Sequence, residues 1–285
     1  MEGVNINGSA PGTGNAGRQL YPYVTSDMNM YEPFGDMTYN ALQTQLRKSI
    51  GSSIIGVNYV FSKAIDEANG DNGDATLFRA FPTSYNLNKQ LAGFDRAQTF
   101  QFFYVYQLPF GKGHTMFNHG AASWIIGGWE LSGNLGWYTG LPFTIGTSAQ
   151  INAGGQGATA NQVDSSVTIL KGIGSTSPWF NGAAFANPAN NTLGTTGRDI
   201  VFGPRYFNLD QSLSRIFTFK EGRVTFQLRG DAFNLTNTPT FSNPNATCCW
   251  LTNATTGAVN YNNYAVITGT ASSPRQLQVG GYLRF

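Results

Sequence analysis

The stretch that most limits how this chain can fold is its last one, Pro274 to Phe285 (PRQLQVGGYLRF). Leu277, Val279, Gly281, Leu283 and Phe285 alternate with Gln276, Gln278, Gly280, Tyr282 and Arg284, so an extended backbone puts the first set on one face and the second on the other. The apolar face ends on an aromatic that is also the final residue. Strands of outer-membrane barrels are apolar toward lipid, polar toward the lumen and aromatic at the interfaces. An edge strand of a soluble sheet would share the alternation.

Composition bears on that choice. Charged residues are 11% of the 285, against about 25% in an ordinary soluble domain, while aromatics reach 14% and glycines number 35. Mean hydropathy is slightly negative, and no apolar run approaches the ~18 residues of a membrane helix. A barrel fits, because only alternate residues meet lipid. A Gly- and Asn-rich secreted β protein fits as well. A net charge of +2 gives no basis for a nucleic-acid partner. Met1 is not followed by a basic segment and an apolar core, so no signal peptide is visible, and an exported barrel of this sequence is expected to be part of a longer product.

The alternation recurs along the chain. Residues 1–35 are rich in Gly, Asn and Pro and read as an outer loop or trailing segment. Six further strands are expected at about 38–48, 53–65, 95–108, 128–145, 205–219 and 223–235, before the terminal strand. Long loops fall near 66–94, 146–203 and 236–273, and shorter connections join the members of three hairpins, the one between the third and fourth strands being extended by Phe117 to Ser123. Outer-membrane barrels have short periplasmic turns and long outer loops, whereas a soluble sandwich has no reason to gather its long loops at one end. Parity agrees. The apolar face switches between even and odd numbers across each short turn, as cross-strand pairing through an even-length turn requires. The fold class expected is all-β: an antiparallel, up-and-down transmembrane β-barrel segment of about seven long strands, residues 36–285 forming the C-terminal portion of a larger barrel.

In order, YNALQTQLRKS, VNYVFSKAID, FDRAQTFQFFYVYQLPFGKG and GGWELSGNLGWYTGLPFTI, then FNLDQSLSRIFTF, VTFQLRGDAFNLTNTPTFSNPN and PRQLQVGGYLRF, resemble successive strands of TonB-dependent receptors of the Oar-like group, which often carry an N-terminal carboxypeptidase-regulatory-like domain. The resemblance implies substrate uptake through a 22-stranded barrel with an N-terminal plug, driven by an inner-membrane energy-coupling complex. Implied partners are outer-membrane lipid, the barrel-assembly machinery, the rest of the barrel with its plug, and the TonB complex. The chain contains no plug, TonB box or regulatory domain, and Gln211 stands where a lipid-facing apolar residue is expected. A passive porin-like channel and a secreted or surface β-sandwich adhesin remain the alternatives.

Leu277, Val279, Leu283 and Phe285 are the candidate barrel-assembly signal. Asp210, Arg229 and Asp231 fall on polar faces of neighbouring strands and are candidate lumen-facing charges, expected to pair with one another. Trp137, Tyr138, Phe143 and Trp179 are expected at or above the outer rim, with interfacial anchoring as the role of those on strands. DEANGDNGD at Asp66 to Asp74 resembles a calcium loop but fails the EF-hand spacing, since its sixth and twelfth positions from Glu67 are Asn72 and Phe78. His114 and His119 have no carboxylate or cysteine at ligand spacing, and Gly154 to Gly157 lacks the Lys of a phosphate loop. Neither GxSxG nor HExxH occurs, so no enzyme and no cofactor is expected. Cys248 and Cys249 are adjacent and read as loop residues able to form a vicinal disulfide.

Overall fold

A computed structural model describes residues 2–26, 28–32, 35–69, 76–77, 81–111, 116–117, 119–154, 157–219, 223–252, 255–256, 259–260 and 263–285. Seven long strands dominate it: β1 Thr38–Ile50, β2 Ser53–Asp66, β3 Gln98–Gln107, β4 Trp129–Tyr138, β5 Tyr206–Phe219, β6 Val224–Phe233 and β7 Gln276–Arg284. They form one sheet in chain order, β7-β6-β5-β4-β3-β2-β1, and every pairing between them is antiparallel. The short segment Gln90–Leu91 adds to the outer end of β2. This is the up-and-down topology that the alternating loops require.

The register gathers the apolar residues of successive strands in rows on one face of the sheet. Leu46 pairs with Val57, Val57 with Phe102, Phe102 with Leu135, and Leu135 with Leu209. Further along, Leu213 pairs with Leu131, Phe217 with Phe226, and Phe226 with Leu283. Residues opposite one another share a face, so a single misregistered strand would have broken the rows. This face is left open by the protein on inner as well as edge strands: Leu42, Phe61, Leu213 and Val279 are 62%, 53%, 39% and 79% exposed. Apolar side chains left open over seven strands are costly in water and favourable against hydrocarbon.

Two departures from simple alternation have local reasons. Phe103 is apolar on the polar face, and its register partner is Gly56. A Cβ on Gly56 would collide with the Phe103 ring, so the aromatic occupies the space over the glycine and shields its backbone. Gln211 lies on the apolar face opposite Gly133 and Ala232. The Tyr104 phenol covers Gly133, its hydroxyl oxygen 2.7 Å from where a Cβ would stand. The polar residue therefore sits among small neighbours with a phenol nearby.

Strand limits differ most at β4, expected to reach 145 but ending at Tyr138. A Cβ at Gly140 would overlap the carbonyl of Gly203, so the chain turns there to pass close to another backbone. Pro142–Phe143 then pairs with Val201–Phe202, away from the main sheet.

The ends of the sheet are unlike. At the short-turn end, the connection between β3 and β4 contains helix α1, Gly120–Ile126. Its last carbonyls, of Trp124 and Ile125, accept hydrogen bonds from the Arg215 guanidinium. Arg215 stands on the apolar face, with its guanidinium carbon 4.2 Å from the Phe217 ring centroid and 6.0 Å from that of Trp129. Helix C-terminal carbonyls and aromatic faces both favour a cation, which is how a charge persists at this edge of the apolar band.

At the other end the long connections fold together, whereas the sequence reads as solvated loops there. Phe180 is fully buried, with ring centroids of Tyr264, Phe143 and Phe185 at 5.6, 5.9 and 6.0 Å. Ile145, Ala160, Ala184, Val201, Cys248 and Ala265 complete this core. The N-terminal segment is part of the same cap. Glu2–Asn5 pairs with Asn29–Glu32, and Ser9 and Gly12 bond to Gly154 and Ile151 through main-chain hydrogen bonds of 3.0 Å. The principal buried hydrophobic core thus lies in the cap, because lipid takes the place of a core along the strands.

Candidate functional site

The polar face of the sheet is the surface that a solute could follow. Asp210 lies opposite Asn134, Ser212 opposite Asp231, Ser214 opposite Arg229 and Asp231 opposite Gln278. Asn134, Asp210, Ser212, Arg229 and Asp231 edge a shallow hollow of about 300 Å³ whose far side is Phe103 and Val105. The register brings Asp210, Arg229 and Asp231 to this one hollow.

Their bonding differs from the pairing expected of all three. Arg229 Nε donates to both carboxylate oxygens of Asp231 at 2.8 and 3.0 Å. They are two apart on one strand and so share a face. The Ser212 side chain also bonds Asp231. Asp210 instead accepts the backbone N–H of Asn234 at 2.9 Å. Asn234 is left-handed, with φ of 49°, and the Asp210 carboxylate holds the chain where it leaves β6. Asp210 is therefore tied to the turn, whereas half of the Arg229 side chain remains open to solvent.

Above the hollow, at the outer rim of the same face, Tyr138 and Tyr206 stack at 5.1 Å and 16°. The Arg96 guanidinium lies 5.5 Å from the Tyr138 centroid, and Gln101 Nε2 donates to the Tyr138 hydroxyl at 3.0 Å. Arg96 and Tyr206 escape a reading of single strands. The signal that could have found them is register, since Tyr138 and Tyr206 are paired residues of β4 and β5. Of the remaining rim aromatics, Trp137 stays on the apolar face, paired with Phe207. Phe143 is not an anchor at all; it is buried in the cap core. Trp179 packs against that core and donates its indole N–H to the Phe202 carbonyl at 2.9 Å.

The cap is fastened to the rim by a buried cation. Arg198 bonds the carbonyls of Ala68, Asp66 and Asn88 at 2.8, 3.1 and 3.1 Å and pairs with the Asp66 carboxylate. Asp199 lies 3.9 Å from Arg198 and accepts the Thr144 hydroxyl at 3.0 Å. Burial raises the Asp199 carboxyl above its ordinary range, against the opposing pull of Thr144 and Arg198. Asp66 is thus occupied by a guanidinium and Glu67 by the Asp36 N–H at 3.3 Å, which takes two of the calcium loop's oxygen ligands for other work. The remainder of that loop from residue 70 to 74 lies outside the described residues, as do His114 and the 220–222 turn. His119 immediately precedes α1. Among the described residues, no group of three His, Cys, Asp or Glu side chains is placed to hold a metal ion. Cys248 and Cys249 are joined by a disulfide, with Cys248 in the cap core.

The candidate assembly residues lie on β7, at the open edge of the sheet. Leu277 pairs with Ala232, Val279 with Gly230 and Leu283 with Phe226, and Phe285 is fully exposed. Among the described residues, β7 bonds to β6 alone, and β1 among the long strands to β2 alone.

What the arrangement offers is a wall: hydrogen-bonding amides and hydroxyls with the accessible cations Arg47, Arg229 and Arg284 on one side, a lipid-compatible surface on the other, and a folded cap at one rim. No curated protein and no solved structure matches the chain. A family model described as an outer membrane beta barrel domain matches residues 1–278. Its agreement with the two-faced antiparallel sheet leaves one conclusion: the chain belongs to the outer membrane beta barrel domain family.

Proposed function

We propose that this chain is part of the wall and outer cap of a TonB-dependent receptor of the Oar-like group, taking up a substrate across the outer membrane. The family points to an outer-membrane protein. What carries the finer reading is the pair of open edges. β1 and β7 each bond to a single long strand. Both run away from the cap, so joining them to one another would make a parallel pair, which an up-and-down barrel does not contain. Edges with free N–H and C=O groups are not tolerated in hydrocarbon, so further strands have to stand between them. Plugged transporters of this kind close with about 22 strands.

In this reading the face bearing Arg229, Asp231, Tyr138 and Tyr206 surrounds the plug and the substrate path. The strand β7 residues Leu277, Val279, Leu283 and Phe285 present the sheet edge to the barrel-assembly machinery. The energy-coupling complex acts through the plug, and the protein carries out no covalent chemistry.

A passive porin-like channel is the competing reading. The test is uptake by cells making the intact protein, with and without a protonophore, alongside conductance in planar bilayers. Receptor function predicts saturable uptake that collapses when the inner membrane is de-energised, and no steady conductance. Open-channel conductance with uptake indifferent to the protonophore would sink the proposal.

A further inference from the structure

At the outer rim the cap overhangs the apolar face and leaves a half-open cavity of about 700 Å³ between them. Its strand-side wall is Trp137 and Phe207, paired residues on the apolar face of β4 and β5. Phe202 and Trp179 from the cap line it as well, and Lys171 and Arg205 stand at it. These two cations are exposed, and neither side chain has a hydrogen bond or ion pair among the described residues.

Lys171 is held in place by unusual backbone. The N–H groups of Leu170 and Lys171 both bond the Trp179 carbonyl, at 2.7 and 2.9 Å. Lys171 itself has φ of 60°, a conformation that costs a non-glycine residue energy and is commonly found where it serves a site. Two residues against one carbonyl is a bulge, which re-aims the side chain that it carries.

We propose that this cavity is a lipid site: it takes an acyl chain of an anionic lipid of the outer leaflet, whose head-group phosphate lies against Lys171 and Arg205. Two observations choose this occupant. The cavity is continuous with the surface already facing hydrocarbon, because Trp137 and Phe207 belong to both. Among the described residues the free charges at it, Lys171 and Arg205, are positive, at the level where the apolar band gives way to the cap. Its strand residues come from the middle of the sheet, so the site does not depend on what flanks β1 or β7. The inference uses only the outer-membrane family and the loop orientation, and stands apart from uptake.

The test uses the intact protein in phosphatidylcholine nanodiscs doped with either brominated phosphatidic acid or brominated phosphatidylcholine of the same chains. Bromine quenches nearby indoles, here Trp137 and Trp179. A cation near an anionic lipid surface contributes about fivefold in affinity, so two predict a preference of about 25-fold for phosphatidic acid. Lys171→Gln with Arg205→Gln is expected to abolish the preference. Ile173→Phe, which fills the cavity from the cap side, is expected to weaken quenching by both lipids. Circular dichroism of each variant reports its fold. Equal quenching by the two lipids in the parent would overturn the head-group assignment. A preference that survives the double substitution, or quenching untouched by Ile173→Phe in folded protein, would overturn the site.

Discussion

Replacing Leu135 by Arg tests the assignment of faces directly. β4 has ten residues, Trp129–Tyr138. At ~3.3 Å per residue that is ~33 Å, and a tilt of ~40° projects it onto ~25 Å, the height of an apolar band. The strand's middle falls between Gly133 and Asn134, which puts Leu135 only ~4 Å from the midplane by the same rise and tilt. Its cross-strand partners are Phe102 and Leu209, so no carboxylate lies opposite to receive the guanidinium. An Arg near the midplane on a lipid face costs about 2–4 kcal/mol, a ratio of about 30- to 900-fold in the folding equilibrium. Asn134→Arg is the control one residue away. That side chain would stand on the polar face, opposite Asp210 and Phe103, and is expected to cost less than the lipid-facing Arg, because the interior is water-lined. The measurement is guanidinium-dependent folding of the intact protein into phospholipid vesicles, followed by heat-modifiable migration and extrapolated linearly. If the two substitutions shift the midpoint equally, or if Asn134→Arg is the worse, the apolar face is not the lipid face.

The cap gives two further predictions. Arg198→Met removes the cation while leaving Asp66 buried, and breaking such a pair costs about 3–5 kcal/mol; hydrogen exchange should quicken around residues 66–68 and 197–202 and leave β3 to β6 unchanged, whereas unaltered protection in the cap would show that the pair does not hold it. Burial raises the Asp199 carboxyl in the folded cap, so the folded state keeps a proton that the unfolded state has released. Cap stability is therefore expected to fall as pH rises from the unfolded carboxylate value of about 3.8 through the folded one, and to level off above it. Asp199→Asn should flatten that slope; a cap that gains stability over the same interval would contradict the assignment.

Period-two patterning was enough to determine the sheet. Leu277 to Phe285, the apolar rows of the other strands and the parity switch across the short turns fixed which elements pair and which side meets lipid, because a strand has only two faces and the environment permits only one sorting of residues between them. The polar-face placement of Asp210, Arg229 and Asp231 was legible for the same reason. What Asp210 bonds was not: its partner is the Asn234 N–H at a left-handed turn, and a backbone group leaves no mark in sequence.

The cap was decided by tertiary structure alone. Its core residues, among them Phe143, Phe180, Val201 and Tyr264, are scattered through Gly- and Asn-rich segments with no period, since irregular backbone presents side chains at irregular intervals. Arg198 and its partner Asp66 are 132 residues apart. Nothing local marks either as buried, and only the return of the chain over the rim brings them together. The cavity beneath the cap arises the same way, from Trp137 and Phe207 on strands and Trp179 and Phe202 on returning loops. A strand writes its environment into its neighbours two residues apart, whereas a cap is specified by contacts between segments that only the folded chain makes adjacent.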